Sequence, residues 1–306
     1  VKSYLKLRVR CGFWVPIMPL EHKKMWFLMT MLGLLKREQP ENNRIKDMEF
    51  HSVGLFGRYQ DSAVEETIVF LQSLLKKRGL EVFLGDPTAS EIEGTRVESS
   101  GRPLSDTIDV GIVVGGDGTM LHVARMLADY DLPLIGINLG RLGFLTDIPA
   151  ENMEQKLDEI LSGDFIIEKR SMLNANVNQG EKIIVECTAL NDIFLSKGAT
   201  GRMIECETAI GGQSVACTRS DGIIVATPTG STAYALSVGG PILHPLLPAI
   251  IFAPICPQSL GQRPLVLDDQ SIIEIRIVDL AGADANFFVD GLHSLGLKGD
   301  ETIRIQ

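Results

Sequence analysis

Between His51 and about Pro149 the apolar positions switch repeatedly between short continuous runs and helical spacing. Val53-Gly54-Leu55-Phe56 is a short apolar run closed by Gly57. Ser62-Ala63-Val64-Glu65 reads as a capping box, and Val64, Ile68, Leu71, Leu74 and Leu75 follow on one helical face until Arg78-Gly79. Leu80–Leu84 predicts the next strand, and the Pro, Gly and Ser of residues 86–106 predict an exposed loop. Ile108–Val114 is apolar except at Asp109, the pattern of a parallel strand covered on both faces. Met120, Leu121, Ala124, Leu127 and Ala128 predict a helix, and Leu132–Ile137 another buried strand. This alternation argues for a doubly wound, Rossmann-like α/β domain over 49–149.

Glu151–Leu161 predicts one more helix, a connector. The apolar period then changes to two. Phe165–Glu168, Ala175–Val177, Lys182–Glu186, Met203–Glu207, Ser271–Val278 and Thr302–Ile305 read as short strands between turn residues. Residues 228–248 interrupt them with Gly, Pro and Thr. The expectation is a β-rich, sandwich-like domain over 150–280, with 281–306 returning toward the first domain.

A length of 306 residues suits two domains, and 45% hydrophobic against 22% charged residues excludes a disordered chain. The net charge of −10 disfavours nucleic acid and anionic membrane as partners. That charge is uneven. Residues 1–48 hold ten of the basic and four of the acidic residues, both tryptophans and five of the ten methionines. Their best apolar run, Met25–Leu35, is about half of the ~20 residues a spanning helix needs. Two readings fit: an interfacial basic helix, or a stretch upstream of a native start near Met48. The second is preferred because the folded pattern begins only at Phe50. Residues 1–48 are therefore expected to stand outside the native fold, and a chain beginning at Met48 is expected to keep full activity.

Cys11, Cys187, Cys206, Cys217 and Cys256 form no CxxC pair and have no histidine at ligand spacing. They read as small buried hydrophobes in a reducing cytoplasm rather than as a zinc site or disulfide framework, and no metal site is expected.

Three segments carry candidate chemistry. In Gly115-Gly116-Asp117-Gly118-Thr119 a strand turns through glycines into a helix, a cradle whose backbone amides suit phosphate. A carboxylate repels phosphate, so Asp117 either acts on a neighbouring hydroxyl or caps the helix. The segment lacks the Gly-Lys-Ser/Thr of a Walker A loop and the glycine spacing of a dinucleotide fingerprint. In Arg219–Tyr234 a strand ends in Thr227-Pro228-Thr229-Gly230-Ser231-Thr232, either a second polar-ligand site or a plain turn. Tyr234 either stacks on a base or joins the core, and Asp221 pairs with Arg219 or each meets ligand. Asn191-Asp192, interrupting an apolar strand, either holds a ribose diol or forms a bulge.

Taken in order, the glycine–aspartate loop, Asn138-Leu139-Gly140-Arg141-Leu142-Gly143-Phe144-Leu145-Thr146, Asn191-Asp192, Asp221-Gly222 with Thr227–Tyr234, and Pro257-Gln258-Ser259-Leu260 with Arg263-Pro264-Leu265 resemble bacterial NAD kinases over roughly residues 50–306. The first loop is shared with diacylglycerol, sphingosine and phosphofructokinase-type kinases. The Asn138–Thr146 and Thr227–Tyr234 segments are far more specific.

The resemblance implies transfer of the γ-phosphoryl group of ATP to the 2′-hydroxyl of the adenosine ribose of NAD. It makes Asp117 the proton acceptor. It places Asp117, Gly118, His122, Asn191, Asp192, Arg202, Arg219, Asp221 and Thr232-Ala233-Tyr234-Ala235-Leu236-Ser237 against the dinucleotide. Gly115, Gly116, Gly118 and Thr119 would hold phosphate, with Mg²⁺ arriving on ATP. It further implies a site between the two domains, a cytoplasmic location and a homodimer or homotetramer. Asp192 stands where many members carry Glu, and Leu292 where many carry Gln; relatives usually continue past the position of Gln306 into a tail that packs on the first domain. The alternatives are a lipid kinase sharing the glycine–aspartate loop, with an apolar acyl pocket, and a dinucleotide-binding regulator without turnover.

Overall fold

The computed structural model describes residues 3–9, 49–57, 62–85, 92–97, 101, 103–140, 143–198, 201–280, 282 and 284–306. They form two compact units, one over Leu5–Lys169 and one over Arg170–Gln306, to which the first residues up to Tyr4 are also assigned.

The first unit is built on an eight-stranded sheet. Its strands are β1 (Ser3–Val9), β2 (Ser52–Gly57), β3 (Glu81–Leu84), β4 (Thr95–Arg96), β5 (Val110–Val114), β6 (Pro133–Asn138), β7 (Ile148–Pro149) and β8 (Phe165–Ser171). Their order is β4-β3-β2-β5-β6-β1-β8, with β7 beside β6. The β2–β3, β2–β5, β5–β6 and β6–β1 pairs are all parallel. All five residues of β5 and all six of β6 are buried, as their unbroken apolar runs require. Helices α1 (Ser62–Lys77), α2 (Asp117–Met126) and α3 (Met153–Leu161) accompany the sheet. The α1 face predicted from spacing is the one that is buried. Ser62 is the first residue of α1 rather than the residue before it, so the expected capping box falls within the first turn.

Four expectations change here. Residues 1–48 do not all stand outside the fold, because β1 lies in the sheet beside β6 with Leu5 opposite Pro133 and Lys6 opposite Leu134. Its alternation is the reason: Leu7 enters the core with Val53, Leu55, Val110 and Ile135. Charge composition had masked a strand of seven residues; residues 10–48, with the Met25–Leu35 run, lie outside the described residues. The domain boundary falls at Lys169/Arg170 rather than at 149/150. Helix α3 is no mere connector, since Leu157 and Ile160 join the first core, and β8 belongs to the first sheet. The loop over 86–106 is not wholly exposed: Ile92 and Val97 are buried around β4.

The second unit is a β-sandwich. One sheet orders β10 (Lys182–Ala189), β9 (Leu173–Gln179), β20 (Glu301–Ile305), β17 (Ile273–Asp279), β12 (Ile204–Ile210) and β13 (Gln213–Ser220). The other orders β16 (Leu265–Asp268), β15 (Ala249–Ile255), β14 (Gly222–Ala226), β11 (Asp192–Lys197), β18 (Ala285–Val289) and β19 (Leu292–Leu297). Alternate residues of both sheets, among them Val177, Ile275 and Ile303 facing Ile193, Val225 and Phe287, share one core. Residues 285–305 supply β18–β20 to these two sheets and so form part of the sandwich. Glu301–Ile305 pairs on both sides, with β9 and β17, and its alternation turns Ile303 and Ile305 into the core.

None of the four described cysteines forms a disulfide. Cys206 is buried and its thiol is pushed up to about 12, first by desolvation. Cys217 and Cys256 are exposed, contrary to the expectation of buried hydrophobes, because they sit on an outward position of β13 and just past β15. No helix among the described residues is long and apolar enough to cross a membrane.

If β1 is an integral strand, Leu7→Ala destabilises the protein by about 2–5 kcal/mol through the cavity it leaves. The denaturant midpoint checks this, and a variant melting with the wild type would remove β1 from the fold.

Candidate active site

In a doubly wound sheet, consecutive connections leave in opposite directions at one place, and ligands bind outside the carboxyl ends of the strands there. Here that place lies between β2 and β5. The chain leaves β2 toward β3 on one side and later returns to β5 on the other, with Gly57 opposite Val114 at the carboxyl ends. The glycine–aspartate loop follows Val114 directly. Gly115 has φ +148°, and a Cβ there would come within 2.7 Å of the Thr119 hydroxyl, so the turn requires glycine. Gly116 is the N-cap of α2 and Asp117 its first residue. Asp117 is therefore not the cap, and its side chain is free for another task.

That task is visible in the hydrogen bonds. Oδ2 of Asp117 accepts from the backbone N–H of Phe144 (2.9 Å). Oδ1 accepts from the N–H groups of Leu145 and Thr146 (3.0 Å each) and from the Thr146 hydroxyl (3.2 Å). Buried Asn138 supports the arrangement: its Nδ2 donates to Thr146 Oγ1 at 2.8 Å and its Oδ1 accepts from Gly140 N–H at 2.8 Å. A Cβ on Gly143 would overlap the Asp117 carboxylate. The Asn138–Thr146 motif thus grips one carboxylate; its Arg141 and Leu142 lie outside the described residues. Gly118 and His122 are exposed on α2, and Thr119 is half-buried.

The second locus gathers segments far apart in sequence. Asn191 and Asp192 lead into β11, beside the end of β14 and the β18–β19 turn. Thr227 N–H donates to Asn191 O at 2.9 Å, and the Thr227 hydroxyl donates to Leu190 O. Gly230 lies so close that a Cβ would overlap the Asn191 backbone. Ser231 is fully buried, donating to Pro228 O and accepting from Leu243 N–H (2.6 and 3.0 Å). The hydroxyls of Thr227 and Ser231 therefore shape the loop, while half-buried Thr232 and Ala233 and exposed Tyr234, Leu236 and Ser237 face outward; Ala235 is buried. The Tyr234 ring meets Phe194 edge-on at 5.1 Å and remains 37% exposed, so it stands at the surface rather than in the core. Burial, more than the neighbouring acidic groups, raises its hydroxyl pKa.

Asp290 completes this locus. Its carboxylate accepts from the N–H groups of Leu190 (3.2 Å), Asn191 (2.7 Å) and Asp192 (3.1 Å). Asp290 and Gly291 have φ +48° and +77°, the pair of positive values that a tight two-residue hairpin turn demands. Asp192 is 3% exposed, and its carboxyl is pushed up to about 7 by desolvation and then by the charge of Asp290. Arg219 and Asp221 lie at the opposite end of β14. Asp221 pairs with Lys197 at 2.7 Å rather than with Arg219. Arg219 and Arg202 are exposed, and Leu292 is 57% exposed. Among the described residues no three His, Cys, Asp or Glu side chains stand together as metal ligands.

Both loci coincide with known domains. Residues 53–165 match the ATP-NAD kinase N-terminal domain and residues 190–306 the ATP-NAD kinase C-terminal domain. The NAD kinase of Thiobacillus denitrificans is 43% identical over 257 residues, 84% of this chain and 88% of that protein. The chain belongs to the NAD kinase family. The NAD kinase of Laribacter hongkongensis is 46% identical over 248 residues, 79% of this chain and 83% of that one. Among solved structures, yeast NADH kinase complexed with NADH superposes with a TM-score of 0.75 at 28% identity, covering 87% of this chain and 84% of its own. The NAD kinase from Archaeoglobus fulgidus in complex with ATP gives 0.60 at 28% identity, covering 83% and 89%. The lipid-kinase alternative has no support in these matches.

Sequence reasoning about this NAD kinase missed Asp290 as an anchor, though Asp-Gly between two apolar runs is a hairpin signal. Two outcomes follow. Gly143→Ala displaces the Asp117 carboxylate from its four hydrogen bonds and is expected to lower both kcat, by about 100-fold, and the melting temperature, as read by steady-state kinetics beside calorimetry. Raised in the folded state, the Asp192 pKa contributes stability below the ordinary carboxylate range that is lost as pH climbs through about 7. Asp192→Asn should therefore raise the melting temperature at about pH 8.5 and do so much less near about pH 5. Equal shifts at both pH values would refute the burial argument.

Proposed function

We propose that this NAD kinase catalyses transfer of the γ-phosphoryl group of ATP to the 2′-hydroxyl of the adenosine ribose of NAD, with Asp117 as the group that receives the hydroxyl proton. The ribose oxygen attacks the γ-phosphorus. The bond from that phosphorus to the β,γ-bridging oxygen breaks, and ADP leaves with the bridging oxygen. NADP carries the new ester, and the proton passes to the Asp117 carboxylate and then to water.

The grip on Asp117 supports this reading. A carboxylate has about four acceptor positions. Among the described residues Oδ1 takes three donors and Oδ2 one, so Oδ2 retains the capacity to accept from a substrate hydroxyl. Little covalent chemistry is asked of the protein in phosphoryl transfer; positioning and charge neutralisation are the work. A rigidly held carboxylate beside the amides at the start of α2 supplies both the acceptor and a place for phosphate. Gly115, Gly116, Gly118 and Thr119 would hold phosphate there. His122, Asn191, Asp192, Arg202, Arg219, Asp221 and residues 232–237 would contact the dinucleotide, with Tyr234 offering its exposed ring to the adenine. Mg²⁺ carried by ATP would supply charge neutralisation to its phosphates. We further read the protein as a cytoplasmic homodimer or homotetramer.

Purified protein given ATP, Mg²⁺ and NAD should form NADP, detected by an NADP-specific dehydrogenase. Asp117→Asn keeps the size of the side chain and should lower kcat by about 100-fold or more. A wild type that binds NAD without turnover would end the kinase reading, and a fully active Asp117→Asn would end the assignment of the base.

A further inference from the structure

We propose that Lys6, on the N-terminal strand β1, is a positioning residue for Asp117, holding in place the loop whose amides grip that carboxylate. This deepens, and rests on, the role given to Asp117 above.

Lys6 is fully buried, with 0% exposure. Lysine is almost never found in that state unless it is paired. The alternation of β1 sends Leu7 into the sheet core and Lys6 to the opposite face. There Nζ donates to the carbonyl of Phe144 at 3.4 Å and lies 3.2 Å from Asp147 Oδ2. These two partners bracket the segment that serves Asp117. Phe144, Leu145 and Thr146 give it their N–H groups, and Thr146 gives its hydroxyl as well.

Geometry makes the coupling direct. The Phe144 carbonyl and the Leu145 N–H belong to one peptide unit, which is planar and trans. Its oxygen edge is held by Lys6 and its N–H edge points at Asp117 Oδ1. Fixing one edge fixes the direction of the other. A cation on the carbonyl also polarises the unit and strengthens its N–H as a donor. A purely structural role, in which Lys6 only ties β1 down, has a competitor already present. Arg8 Nε reaches Asp147 Oδ2 at 2.8 Å, so Asp147 keeps a cationic partner when Lys6 is replaced.

The test compares wild type, Lys6→Met and Lys6→Arg in full-length protein, with steady-state kinetics and amide hydrogen exchange. Lys6→Met is expected to lower kcat by about 10- to 100-fold, with KM for NAD and ATP within about two-fold, and Lys6→Arg is expected to restore part of the loss. Amides of residues 143–149 should exchange faster in Lys6→Met while those of α1 keep their protection. If Lys6→Met does not fold, Lys6→Gln carries the same measurements, its side chain being too short to reach both partners. A kcat unchanged from wild type, a loss confined to KM, or exchange accelerated equally in α1 would overturn the proposal. A wild type without turnover would sink the kinase reading instead, and the exchange measurement would still decide whether Lys6 braces the loop.

Discussion

The first unit is organised around one carboxylate held by three consecutive backbone amides and a hydroxyl. Four donors on an acid at the start of a helix fix its position with no charged partner among the described residues. The surrounding requirements follow from that grip. Gly143 must lack a Cβ, Asn138 must tie Thr146 and Gly140, and β5 and β6 must run side by side so that their two carboxyl-terminal loops meet.

The second unit solves a similar problem with the same device. Asp290 binds the amides of Leu190, Asn191 and Asp192, as Asp117 binds those of 144–146. In both places an aspartate takes the amides of three successive residues of a remote segment, so an irregular stretch of backbone is held in place. At the second locus the cost is a neighbouring carboxyl, that of Asp192, buried where ionisation is disfavoured. Strain of this kind is expected at functional positions rather than in the scaffold.

Much of this could be read along the chain. The unbroken apolar runs of β5 and β6, the helical face of α1 and the period-two strands of the second half are local patterns, and local patterns survive into the fold. The glycine–aspartate loop was legible for the same reason. Long-range pairings were not. Asp290 lies about one hundred residues from the amides it holds, and its Asp-Gly signal announces only a turn. Lys6 and β1 were hidden because the basic, Trp- and Met-rich composition of residues 1–48 outweighed a seven-residue alternation. The hydroxyls of Thr227 and Ser231 looked like ligand contacts and instead bond within the loop and, from Thr227, to the Leu190 carbonyl, a distinction that depends on burial and not on residue type.

The insertion of β20 between β9 and β17 has a consequence for biosynthesis. Its neighbours β9 and β17 leave the ribosome first and cannot pair with each other across the gap it fills. The sheet stays split into β10-β9 and β17-β12-β13 until Glu301–Ile305 emerges. Its open edges are then exposed to neighbouring nascent chains for longest, and a chaperone that shields strand edges would have its main work in that interval.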